Sequence, residues 1–495
     1  MSSTVTIKQG QVRGFEDHGV WAFLGIPYAA PPYGALRFAP PAPAPGWDGV
    51  RPAQAYGPTA LKNGYPAPID ALLPEPAIAG EDCLNLNVWT PDPGLSGLPV
   101  LVWIHGGSFV YGSGAVPDYN GRAFARDGVV CVTINYRLGV DGFAWLEGAP
   151  PNRGLLDQVA ALEWVRDNIA AFGGDPDRVT VAGESAGAMS VATLMAMPSA
   201  RGLFRRAIAQ SGAGHHALSE ATARRIGGYL GERLGVAPTA AAVAGVPFDA
   251  LLAAQAQLVV GPQQSPDPDR WGEAAHDLLV YEPAVDGEIL PARPIDAIAA
   301  GASADVDLLV GTNADEQRLF LVPTGMLDVI NDMILGMAAT TWWNLPAEFL
   351  EVYRAHRPTE TPGELASAVG TDWFFRIPAL RMAEARMGAA GRSYVYLFTW
   401  PSPGFGGKLR SCHALEIPFV FDSLAASGAN FVDQGTAPQG VADTMHAAWV
   451  AFITSGDPGW TVYDLERRPT MRFDIASGVV DDPDADERRV WDGRR

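Results

Sequence analysis

The chain has 495 residues, 48% of them apolar and 18% charged, with a formal net charge of −20. That hydrophobicity and charge density exclude a disordered chain. The acidic balance, 55 carboxylates against 35 bases, disfavours nucleic acid as a partner.

Three cysteines, Cys83, Cys131 and Cys412, are too few and too odd in number for a disulfide framework. CxxC and HExxH metal spacings are absent, so no metal site is expected. The first residues hold no signal-peptide core, and no apolar run approaches the ~20 residues of a spanning helix. The expectation is a soluble cytoplasmic protein, in a reducing compartment and without a membrane partner. The oligomeric state stays open, with a monomer as the working expectation.

Along the chain, the first hundred residues read as short strands and turns, broken by Pro31-Pro32, Pro40 to Pro45 and a loop over 64–80. Val100 to Ile104 and Val129 to Tyr136 are apolar runs suited to buried strands. Leu155, Leu156, Val159, Leu162, Val165 and Ile169 then recur at helical spacing, and Gly173-Gly174 ends that helix. Arg178 to Ala182 reads as a strand and the small residues from Ala186 onward as a helix. This strand–helix rhythm predicts a mostly parallel α/β sheet flanked by helices. Asp307 to Val310 and Ser393 to Trp400 are further strands. A C-terminal helix is expected near Asp443 to Ile453, anchored by Trp449 and Phe452. No linker divides the chain, so one domain over 1–495 is expected, with mainly helical insertions at about 217–300 and 326–390.

The sharpest motif is Gly183-Glu184-Ser185-Ala186-Gly187, a G-x-S-x-G sequence between a strand and a helix. A serine on such a turn projects its hydroxyl above the sheet edge, and the small neighbours avoid backbone clashes. The helix N-terminus adds positive potential where an oxyanion would develop. His105-Gly106-Gly107-Ser108-Phe109 follows the Val100 to Ile104 strand. A glycine-rich turn there can aim N–H groups at a substrate oxygen, so Gly107, Ser108 and Ala186 are the expected oxyanion donors. His105 is read as a brace for this loop.

These residues bring the chain into resemblance with the type-B carboxylesterases of the α/β-hydrolase superfamily. The likeness runs from about residue 22 to 475. It includes Phe23-Leu-Gly-Ile-Pro-Tyr-Ala, Glu81-Asp-Cys-Leu-Asn-Leu-Asn-Val-Trp, Asn135-Tyr-Arg-Leu-Gly, Gly154-Leu-Leu-Asp-Gln and Phe172-Gly-Gly-Asp-Pro. The resemblance implies an α/β-hydrolase fold whose helical insertions cap the cleft. It also implies a serine hydrolase of carboxylic esters with a Ser–Glu–His triad and no cofactor. Carried over, Ser185 is the nucleophile, Glu316 the acid in Gly311-Thr-Asn-Ala-Asp-Glu, and His413 the base in His413-Ala-Leu-Glu-Ile-Pro-Phe. Ser211 matches a serine that supports the triad.

Two departures stand out. Ala60 occupies the place of the cysteine that the family often pairs with the one at Cys83, which leaves Cys83 free and the loop between untethered. Ser108 replaces the third glycine of the usual run, and its Cβ narrows the approach to a carbonyl.

Read from the residues alone, the order Ser, acid, His leaves His356, His413 and His446 after Glu316. His413 follows a glycine-rich loop after a strand and is preferred. Asp315 is the alternative acid. Glu184 is expected to be a buried structural carboxylate pointing away from the cleft, and Cys412 a packing residue. Phe109, Met189, Trp271, Leu319 and Phe320 are the candidate pocket residues for a small-molecule ester of apolar, small-to-medium size. A carbamate or amide hydrolase on the same triad is the competing enzyme, and a non-catalytic binding protein the remoter alternative.

Overall fold

Apolar runs bounded by glycine and proline become the strands of one large sheet. The structure is a computed structural model and describes residues 3–346, 348–425, 431 and 436–495. In chain order the strands are β1 (Phe15–Asp17), β2 (Val20–Pro27), β3 (Asn85–Thr90), β4 (Leu98–Ile104), β5 (Val130–Ile134) and β6 (Gly174–Glu184). They continue as β7 (Arg206–Gln210), β8 (Asp307–Asn313), β9 (Ser393–Phe398), β10 (Pro469–Phe473) and β11 (Gly478–Asp481). Their spatial order is β11-β10-β9-β8-β7-β6-β4-β5-β3-β2-β1. From β10 to β5 every pairing is parallel, and the outer strands are antiparallel. Thr4–Ile7, Gly10–Arg13 and Val50–Pro52 form a separate small sheet.

The central strands are buried on both faces, which is why they read as continuous apolar runs rather than alternating ones. Along β4, Val100, Val102 and Ile104 enter the core on one side, and Leu101 and Trp103 enter the core on the other. Helix α1 (Arg153–Asn168) turns its apolar stripe onto the first of these cores. Helix α2 (Ala186–Ala196) has every residue buried. Its small first turn is what lets it sit this close: a Cβ on Gly187 would strike the carbonyl of Ile104.

The stretch after β7 contains α3 (Glu220–Leu234) and α4 (Phe248–Val259). The stretch after β8 contains α5 (Asp332–Thr341), α6 (Pro362–Thr371) and α7 (Ile377–Glu384). Helix α6 opens on a full capping box, with Thr361 and Glu364 each accepting from the other's backbone and Pro362 in the first turn. Between α6 and α7 the chain makes a π-helical turn, Asp372–Arg376, and this wider turn carries Trp373, Phe374 and Phe375 to the wall of the central cavity. Helix α8 (Gln439–Ser455) buries Trp449 and Phe452 completely. Among the described residues, no helix is long and apolar enough to cross a membrane.

Candidate active site

The chemistry-bearing segments leave the sheet at the carboxyl ends of β4, β6, β8 and β9, the edge at which open parallel sheets bind ligands. Between Glu184, the last residue of β6, and Ala186, the first of α2, Ser185 alone reverses the chain. It does so at φ 56°, ψ −124°, a region costly for any residue with a side chain. The turn is held from both sides, because Ser185 N–H donates to Gln210 O at 2.9 Å and Met189 N–H donates to Ser185 O at 2.9 Å.

Gly106 lies against this elbow. A Cβ there would sit 2.8 Å from Glu184 Oε2 and 3.0 Å from Ser185 Cβ. Gly107 follows at φ 108°, its carbonyl accepting from Val110 N–H (2.9 Å) and Tyr111 N–H (2.8 Å). Ser108 keeps the left-handed backbone a glycine would adopt, at φ 54°. Gly107, Ser108 and Ala186 all line one cavity with Ser185. His105 lies beneath, buried, with Nδ1 2.8 Å from Gly106 O and its ring stacked 4.5 Å from Tyr136. Burial lowers its imidazole to about 3, so it remains neutral.

Of the two adjacent carboxylates, Glu316 and not Asp315 faces the imidazole of His413. Glu316 is wholly buried, with Oε1 accepting from Asn313 N–H at 2.7 Å and Oε2 2.6 Å from His413 Nδ1. Asp315 turns the other way, to Arg318 at 3.2 Å and Arg410 at 3.6 Å. The other two histidines are elsewhere: His356 faces Asp486, and His446 faces Asp127.

One expectation is corrected. Glu184 does not point away: its Oε1 lies 3.1 Å from His413 Nε2. Among the described residues no hydrogen bond joins Ser185 Oγ to that nitrogen, although both side chains line the same cavity. Local packing explains the placement, since Glu184 has no solvent to reach and the imidazole is its nearest positive partner. Burial raises the Glu184 carboxyl to about 8, with His413 pulling it down and Glu416 and Glu316 adding to the rise. Burial by itself would lower His413, but Glu184 and Glu316 outweigh it and hold the imidazole at about 9.

Glu416 has no role in the sequence reading, although it stands three residues after His413 in the motif that supplies the base. It is buried, accepting from Asn313 Nδ2 (2.6 Å) and Gln210 Nε2 (3.0 Å). Gln210 in turn accepts from Trp449 Nε1 at 2.9 Å. The same asparagine that orients Glu316 thus also binds Glu416. Ser211 is buried behind the elbow, its N–H donating to Gly311 O at 2.9 Å.

The cavity has a volume of about 540 Å³ and a mostly apolar wall that includes Met189, Leu319 and Phe320. Phe320 stands 5.4 Å from the His413 ring. Two expected pocket residues are elsewhere. Phe109 is fully buried against Phe143, 4.9 Å away, because its left-handed φ of 61° turns it into the core. Trp271 packs 5.5 Å from Tyr229. Neither touches the cavity.

All three cysteines are free and buried. The loop from Ala60 to Cys83 is nevertheless not untethered. Lys62 and Glu75 form a buried ion pair, Lys62 Nζ donates to Gly112 O at 2.8 Å, and Glu75 accepts from Gly112 N–H at 3.1 Å. Charge and backbone bonds fasten it to the segment after the Gly106-Gly107 turn.

With this geometry in place, comparison with known proteins is direct. The family model described as "Carboxylesterase family" matches residues 1–475. The chain is 37% identical to the para-nitrobenzyl esterase of Bacillus subtilis (strain 168), over 98% of this chain and 97% of that protein. It is also 37% identical to the phenmedipham hydrolase of Pseudarthrobacter oxydans, over 95% and 93% of the two chains. The crystal structure of Geobacillus stearothermophilus carboxylesterase EST55 at pH 6.2 superposes with a TM-score of 0.87 at 36% identity, covering 99% of each chain. The chain therefore belongs to the carboxylesterase family. It has the α/β-hydrolase fold, and it is a carboxylic ester hydrolase.

Proposed function

We propose that the hydrolysis proceeds by two acyl transfers on Ser185. The hydroxyl attacks the ester carbonyl as His413 Nε2 takes its proton, and Glu316 holds the imidazole through Nδ1. Gly107, Ser108 and Ala186 N–H groups receive the oxyanion. The alcohol leaves with the proton from His413, and water then releases the acid by the same route. The observation that supports this reading most is the 2.6 Å contact between buried Glu316 and His413 in the cavity that Ser185 also lines.

The attack requires His413 Nε2 to exchange Glu184 for the serine hydroxyl. Such catalytic hydrogen bonds are commonly loose until substrate is bound. The apolar wall and the volume of about 540 Å³ favour small-to-medium apolar esters. We read the chain as one catalytic unit, capped by the helical stretches at 217–300 and 326–390. The three free cysteines accord with a reducing cytoplasm.

Ser185→Ala tests the mechanism. Its kcat on a p-nitrophenyl ester is expected to fall by about 10⁴-fold or more, with the fold retained. Turnover near that of the wild type would refute the assignment. A matched series of ester, carbamate and anilide, compared by kcat/KM, is expected to favour the ester.

A further inference from the structure

At the cavity wall, away from the proposed triad, an imidazole converges with two carboxylates that stand some sixty residues further along the chain. His216 follows β7, Asp277 closes the short helix Ala274–Asp277, and Glu282 stands before Pro283. One ligand atom from each lies within 4.8 Å of the others, and all three residues are buried.

Their hydrogen bonding is incomplete in a directed way. His216 Nε2 sits 3.1 Å from Phe374 O, an acceptor only, so that nitrogen carries the proton and Nδ1 presents a lone pair. Among the described residues that lone pair has no partner. Glu282 is 0% exposed, and neither of its carboxylate oxygens has a partner. A buried carboxylate bare on both oxygens is costly unless a cation or a proton meets it.

The surrounding charge favours a cation. Asp277, Glu282 and the nearby Glu273 bring three carboxylates, and Glu273 Oε2 is also buried and unpartnered. Facing them are the Arg495 guanidinium, 3.2 Å from Asp277 Oδ1, and, further out, the half-buried His215 and the exposed Arg293. An imidazole whose other nitrogen is bound to a backbone carbonyl is the usual arrangement of a metal-ligating histidine. Donor atoms already within 4.8 Å of one another have to close only to about 3.5 Å, through small side-chain rotations, to share one cation at bonds of about 2.0–2.2 Å.

We propose that His216 Nδ1, Asp277 and Glu282 bind one divalent cation of the Zn²⁺ or Mn²⁺ class. Nitrogen with two carboxylates suits these borderline ions better than Mg²⁺, which prefers oxygen and water. The ion has a structural role. All three ligands lie in the stretch after β7, and His216 also donates to Phe374 O in the stretch after β8, so the ion would fix the histidine that joins these two parts of the cavity wall. Sequence motifs could not reveal this site, because its ligands are scattered from 216 to 282 with no local spacing.

The test uses the full chain, stripped with EDTA, dialysed against Zn²⁺ alone, and then analysed for bound metal and for thermal unfolding. Wild type and Ser185→Ala are both expected to retain one equivalent and to unfold at a higher temperature with Zn²⁺. Glu282→Gln, which keeps the shape, and His216→Gln are expected to bind at least tenfold more weakly and to lose the Zn²⁺-dependent rise. Co²⁺ substituted into wild type gives an absorption band that the His216→Gln variant should lose or shift. The proposal is overturned if wild type retains no metal, or if both ligand variants bind as wild type does. It is equally overturned if Glu282→Gln by itself raises the unfolding temperature while Zn²⁺ has no effect on either form, the result expected of a merely protonated Glu282.

Discussion

A serine hydroxyl is a weak nucleophile at neutral pH, so on the proposed mechanism Ser185 acts only while another group accepts its proton. In that proposal His413 takes the role, held by Glu316 through Nδ1, while its second nitrogen faces a second carboxylate, Glu184. Glu316, together with Glu184 once its own raised carboxyl ionises, stabilises the imidazolium, which is why the imidazole is held at about 9 rather than near the ordinary 6.5. A base must be neutral to accept a proton. The acid limb of kcat/KM is therefore expected above 6.5. Glu184→Gln removes one stabilising charge, lowers the His413 pKa and moves that limb toward lower pH. A pH–rate series on both forms checks this, and an unmoved limb would mean that Glu184 does not act on the base. The sequence pointed to Ser185, Glu316 and His413 through motifs. It gave no sign of where Glu184 points, because the rotamer of a buried carboxylate depends on which partner the fold brings near, here a histidine more than two hundred residues away.

At the scale of elements, two short loops shape the site. The turn after β4 needs Gly107 at φ 108°, where a Cβ would strike the carbonyl of Tyr111. Gly107→Ala is expected to displace the oxyanion donors and reduce kcat by about 10²-fold or more, the usual loss for one such donor. Circular dichroism should show the fold intact, and a kcat near wild type would remove Gly107 from the account.

The 60–83 loop is held by Lys62 and Glu75 rather than by a disulfide. Little of either side chain reaches solvent, so Glu75→Gln leaves the Lys62 ammonium with only the Gly112 carbonyl and no carboxylate, at a cost of roughly 3 kcal/mol. Faster amide hydrogen exchange across 60–83 would report that loss, whereas unchanged protection would show that the pair does not hold the loop. The central strands were legible as apolar runs because both of their faces are buried. The strand expected at Arg178 to Ala182 extends to Gly174–Glu184, and the helix expected near Asp443 to Ile453 extends to Gln439–Ser455, since their ends are set by neighbours and not by local pattern. The ion pair in the loop was not legible: a lysine and a glutamate thirteen residues apart in a proline-rich stretch give no periodic signal.

For the molecule as a whole, the parallel sheet collects residues from points spread over more than three hundred positions at one edge, and the helical stretches close an apolar cavity over them. Family motifs conveyed the fold and the reaction class, but not the wall of that cavity. Phe109, expected there from its nearness to a motif, and Trp271, also a candidate, both face the core, while the aromatic run Trp373 to Phe375 enters through a π-turn that no periodicity announces.

The central claim is that Ser185, His413 and Glu316 act as one unit. Labelling with diethyl p-nitrophenyl phosphate, followed by peptide mass spectrometry and timed sampling, tests it most directly. The account predicts a single diethylphosphoryl adduct on Ser185, formed about 10³-fold or more slowly in His413→Ala. An adduct on another residue, or an unchanged labelling rate without His413, would contradict it.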